Sequence, residues 1–92
     1  MKQEQAEAVA LAALRWLVAE PERAGQFLAA TGAGPETLRA CLGDPHFLGG
    51  VLDFLLASES LVTQFCEAED LACDLPRRAR AALPGGDTPH WT

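Results

Sequence analysis

Residues 45–57, Pro-His-Phe-Leu-Gly-Gly-Val-Leu-Asp-Phe-Leu-Leu-Ala, constrain the fold more than any other stretch of this chain. A helix turns about 100° per residue, which spreads Phe47, Leu48, Val51, Leu52, Phe54, Leu55 and Leu56 over a wide apolar arc. Only a narrow strip of His46, Gly49, Gly50, Asp53 and Ala57 is left over. An arc that wide belongs to the central helix of an all-helical core, covered from several sides. Glycine inside a helix costs about 1 kcal/mol relative to alanine, so an adjacent pair requires a reason in packing or in partner contact. The strip's one carboxylate, Asp53, has the look of a buried residue.

The flanking sequence is punctuated as a string of short helices. The first is expected from about Gln3 to Ala19, with Val9, Ala10, Ala13, Leu14, Trp16 and Leu17 inward and Glu4, Ala8 and Arg15 outward. Trp16 reads as a core anchor. Pro21 opens a second helix with Ala24, Phe27, Leu28 and Thr31 inward, and Gly32 ends it. Pro35 opens a third through about Leu42, with Leu38, Cys41 and Leu42 at i, i+3 and i+4, so that Cys41 is expected in the core. Asp44-Pro45 caps and launches the central helix. Ser58 caps the next, with Leu61, Phe65, Ala68 and Ala72 inward and Val62, Cys66 and Cys73 on its shoulder. Asp74-Leu75-Pro76 begins a last helix ending near Leu83. No strand-like alternation and no internal repeat interrupts the pattern. The expected fold is all-α, a compact orthogonal bundle of five to six short helices forming one domain over residues 1–83, with 84–92 as a disordered tail.

Ninety-two residues and 49% apolar content suffice for one small core. The longest apolar run, residues 8–14, falls far short of the ~20 residues a membrane span needs, and no signal segment is evident. The expected setting is the cytoplasm, with no membrane contact. Thirteen acidic against seven basic side chains give a net charge of −6, which argues against phosphate backbones and anionic membranes as ligands. The charge is uneven. Residues 58–74 carry five acids and no base, after which Arg77, Arg78 and Arg80 arrive together. The expectation is an acidic helix with a basic one docked near it.

Sites of chemistry are sparse. Cys41, Cys66 and Cys73 make no CxxC pair. On one continuous helix, Cys66 and Cys73 would stand about 10 Å apart along the axis, too far for a disulfide. The default is three reduced thiols, with Cys41 buried and the other two partly reachable, and no bound metal. A nucleophilic site needs Ser, Thr or Cys beside a base, and the histidines are only His46 and, in the tail, His90. The run Gly32-Ala33-Gly34 lacks the lysine and the preceding strand of a phosphate loop. Glu67 and Asp70 read as solubilising acids on an exposed helix face. No enzyme activity and no cofactor is expected.

The segment from Ala24 to Leu42 has the outline of a helix-turn-helix. Its second helix offers only Thr37 and Arg39 to bases and opens with Glu36, where it would face phosphates. A nucleic-acid-associated regulator is therefore the alternative reading.

Taken together, Trp16-Leu17, Phe27-Leu28, Thr31-Gly32, Leu38-Arg39, the block from Phe47-Leu48 to Val51-Leu52-Asp53-Phe54-Leu55-Leu56, Phe65-Cys66 and the closing Ala82-Leu83-Pro84-Gly85-Gly86 resemble one family. It is the domain of unknown function 3572 family of small uncharacterised alphaproteobacterial proteins. The resemblance runs from about Ala6 to Gly86. It implies a small, stand-alone, all-helical bacterial protein and carries no activity, ligand or catalytic residue across.

The leading functional expectation is a protein-interaction module or small regulator. Its partner is an unidentified protein or a second copy of the chain. The candidate contact surface is the strip His46, Gly49, Gly50, Asp53 and Ala57, whose polar groups His46 and Asp53 are expected to have no side chain between them.

Overall fold

The computed structural model describes residues 1–32 and 34–83. Within them the chain forms six α-helices and no strand: α1 (Gln3–Ala19), α2 (Pro21–Thr31), α3 (Pro35–Cys41), α4 (Pro45–Leu56), α5 (Glu59–Glu69) and α6 (Leu75–Ala81). The expected tail, 84–92, lies outside the described residues.

Local chemistry sets the boundaries. Gln5 reaches back to accept the Lys2 backbone N–H at 3.1 Å, closing the first turn of α1. Gly32 ends α2 in the left-handed region (φ 71°), and its N–H bonds the Leu28 carbonyl. The Asp44 carboxylate accepts from the His46 N–H at 3.0 Å, and the Ser58 hydroxyl accepts from the Leu61 N–H at 3.3 Å. Each cap satisfies one of the donors that a helix start leaves open.

Helix α4 is central, as its wide arc requires. Leu48, Val51, Leu52 and Leu55, at i, i+3, i+4 and i+7, are buried, while Phe47, Phe54 and Leu56 are half-buried on the flanks. It packs against α1, α5 and α6. The facing stripe of α1 is small where α4 and α6 approach: Ala6, Ala10 and Ala13 are fully buried, followed by Leu14 and Leu17. Alanine at those positions lets helix axes come close. Each fully buried leucine, valine or phenylalanine contributes about 1.5–3 kcal/mol, so this layer is where the fold's stability concentrates.

Aromatic contacts hold α2 and α5 on the core. Phe27 is fully buried and meets Phe47 and Phe54 edge-on, with ring centroids 6.4 and 5.3 Å apart. Trp16 is half-buried rather than enclosed. It tilts against Phe65 at 5.6 Å, and the Arg23 guanidinium stacks 3.9 Å from its ring centre while donating to the Trp16 carbonyl. Arg23 thus closes the α1–α2 corner.

Several expectations about inward residues are corrected. Thr31 is exposed, because its hydroxyl donates to the Phe27 carbonyl at 2.9 Å and rides on the end of α2. Ala68, in the last turn of α5, and Ala72, beyond the helix end at Glu69, are exposed too. Asp70 takes the left-handed region (φ 56°) and reverses the chain, with the Leu71 N–H returning to the Cys66 carbonyl at 2.8 Å. Cys66 and Cys73 therefore do not share a helix. The thiol order also changes: Cys66 is buried, Cys41 half-buried and Cys73 exposed.

Helix α6 packs mainly on α1 and α4, while its Arg77 shares a cavity wall with Glu59 of the acidic α5. Its small inner face decides this, with Pro76 and Ala79 buried against the core and Leu83 following. Burial of that face outweighs the attraction between exposed charges, which are screened. Among the described residues no helix is long and apolar enough to cross a membrane.

Candidate functional site

The strip left over by the arc of α4 is divided in two by one side chain. Arg80, projecting from α6, donates from Nε to Asp53 Oδ1 at 2.6 Å and from Nη2 to Asp53 Oδ2 at 3.1 Å. This two-point grip lays the guanidinium flat over Gly49. A Cβ built on Gly49 would sit 2.9 Å from Arg80 Nη1 and 3.1 Å from Cζ. Gly49 is buried as a result. The expectation of a bare face between His46 and Asp53 is corrected there. Asp53 is not buried either: its side chain remains 59% exposed, against 17% for Arg80. The glycine answers the requirement the sequence posed, because a residue without a side chain leaves the planar cation in place, whereas a Cβ would displace it.

The other half of the strip opens onto a pocket. His46 and Gly50 line it with Phe47 and Val51 of α4, Thr31 and Gly32 from the end of α2, and Thr37 of α3. Its volume is about 320 Å³. A Cβ on Gly50 would meet nothing within 4 Å, so the space beside it is free. Phe47 and Val51 give the pocket an apolar wall, and behind Phe47 the fully buried Phe27 ring braces it. Two hydroxyls and one imidazole stand around that wall. The shape suits an apolar group with a polar attachment, at the small end of the range that ligand pockets occupy. Ala57, the last residue of the strip, caps α4, is exposed and lies outside this pocket.

Of the strip expected from the sequence, His46 and Gly50 line this pocket. Gly32 carried a readable signal as a helix stop, and its left-handed turn is what brings the end of α2 to the pocket. The sequence pattern points Thr31 inward and offers Thr37 only as a possible base contact, whereas both line the pocket. Arg80 was missed as the strip's cover, because its docking on α4 depends on the small inner face of a helix 27 residues further on.

Further cavities lie elsewhere among the described residues. One, of about 210 Å³, is walled by Leu56, Glu59, Val62, Thr63, Cys73 and Arg77. Another, of about 280 Å³, is strongly polar and lies beside Arg23, whose buried Nε has no hydrogen-bond partner. Among the described residues no three of His, Cys, Asp and Glu converge as metal ligands.

A small all-α domain with a central glycine-bearing helix is thus the class that fold and site define. The chain belongs to the family described as protein of unknown function (DUF3572), whose model matches residues 3–86, nearly its whole length. No curated protein and no solved structure matches it.

Proposed function

We propose that this protein works without catalysis, as a small interaction module or regulator of the bacterial cytoplasm. In this reading a partner protein seats one apolar side chain in the pocket at His46 and Gly50. The observation that supports it is the pocket itself: an apolar wall of Phe47 and Val51, an open Gly50, and polar groups around them. The partner's segment should carry basic residues beside its apolar anchor. The chain's net charge of −6 favours such a segment, and exposed Glu36 and Asp44 stand next to Thr37 and close to His46 along the chain.

A nucleic-acid role draws less support. Of the three clustered arginines, Arg80 is engaged by Asp53, and Arg78 lies 4.0 Å from Asp74, the residue that precedes its helix.

The test is affinity capture from cell extract with the wild-type chain and with Gly50→Leu, which fills the pocket while favouring the helix. Both proteins are first shown to melt alike. A protein held by the wild type and lost with Gly50→Leu supports the reading. Capture of the same proteins by both forms, or of none by either, overturns it.

A further inference from the structure

We propose that Cys73 and Cys66 form a thiol pair that a hydroperoxide converts to a disulfide, with Cys73 taking the oxidant and Cys66 resolving it. The left-handed turn at Asp70 makes the pair by folding the chain back over the end of α5. The Leu71 N–H bonds the Cys66 carbonyl, and the Cys66 thiol donates to the Ala72 carbonyl at 3.5 Å. That carbonyl belongs to the peptide unit ending at the Cys73 Cα, which puts the Cα no more than about 6 Å from the Cys66 sulfur. A disulfide needs Cα atoms within about 7 Å, and the reversed chain brings the two residues towards that range.

The two thiols are placed for different roles. Cys73 is exposed and opens onto the 210 Å³ cavity with Glu59, Thr63 and Arg77, where a small peroxide can reach it. Cys66 is only 1% exposed, so an oxidant in solution does not meet it directly. Burial first, and then the neighbouring Cys73 thiol, push the Cys66 thiol above its usual range, so it waits as a protonated thiol. Cys41, on α3, is half-buried and serves as an internal control.

The chemistry balances in two steps. The Cys73 thiolate attacks the distal peroxide oxygen and the O–O bond breaks. Cys73 is left as a sulfenic acid and the alkoxide or hydroxide departs, to be protonated by water. The Cys66 sulfur then attacks the Cys73 sulfur and the S–O bond breaks. The leaving hydroxide takes the Cys66 proton and departs as water. One hydroperoxide is reduced and two thiols are oxidised.

The experiment uses the reduced full chain and hydrogen peroxide near equimolar. Samples are then denatured, alkylated with N-ethylmaleimide and cut after glutamate. Cleavage at Glu67 and Glu69 separates Cys66 from Cys73, and cleavage at Glu59 separates both from Cys41. The expected result is a chain about 2 Da lighter before alkylation, one remaining free thiol at Cys41, and a Cys66 peptide linked to a Cys73 peptide. Dithiothreitol should restore all three thiols. Cys73→Ser, at an exposed position, should abolish the mass loss and leave Cys66 free. Linkage through Cys41, dimers joined through Cys73, or over-oxidation of Cys73 with Cys66 still free would each overturn the proposal.

Discussion

Arg80 and Asp53 are joined across the bundle by two hydrogen bonds, of 2.6 and 3.1 Å, although 27 residues separate them in the chain. The pair ties α6 to α4 and fixes the guanidinium over Gly49. Its energetic weight is asymmetric. The carboxylate is more than half exposed, so Asp53→Ala should cost only about 0–1 kcal/mol. Arg80→Ala also removes a side-chain stem that is largely buried, and should cost about 1–2 kcal/mol. Urea unfolding of both variants measures this, and equal losses would contradict the packing role of the stem.

Native-state alkylation should rank the thiols by their burial. Cys73 should react first, Cys41 more slowly and Cys66 last, because they are exposed, half-buried and buried in that order. Timed quenching with peptide mapping reads the order. Early labelling of Cys66 would mean that the turn after α5 opens readily.

The raised Cys66 thiol links stability to pH. The folded chain holds this proton more tightly than the unfolded one, burial being the first cause. The stability it supports is whole below the ordinary thiol range and is lost as pH rises through it towards the folded value. Under reducing conditions the wild type should lose more stability between neutral pH and pH about 10 than Cys66→Ala does. Parallel losses would assign the slope to other groups.

Much of the fold was legible because its signals are local. Proline at a first helical turn, Asp44 and Ser58 as caps, and Gly32 as a stop each act within four residues, so the starts of α2, α3 and α4 and the end of α2 were readable. The wide arc of α4 announced its central place for the same reason. What escaped the sequence was decided by longer-range balances. Asp70 adopts a conformation that glycine usually marks, so the sequence carries no visible stop for α5 at Glu69 and its pattern places Cys66 and Cys73 on one helix. Cys41 is the last residue of a helix of only 7 residues and is half-buried. The main packing of α6 on α1 and α4 turns on its small buried face, Pro76 and Ala79, which the charge pattern does not reveal. The candidate strip was half legible: its glycines were found, but not that one is roofed and the other open.

That division between Gly49 and Gly50 is the claim on which the site rests, and a double-mutant cycle tests it most directly. Unfolding free energies are measured for Gly49→Ala and Gly50→Ala, alone and each combined with Arg80→Ala. Gly50→Ala should stabilise by up to about 1 kcal/mol in either background, since its methyl meets open space and alanine is the better helix former. Gly49→Ala should fall short of that by about 1 kcal/mol or more in the wild type, because its methyl must displace a guanidinium held by Asp53. With Arg80→Ala the shortfall should vanish and the two glycines should behave alike. Equal stabilisation by both substitutions in the wild type, with no coupling to Arg80, would contradict the divided strip.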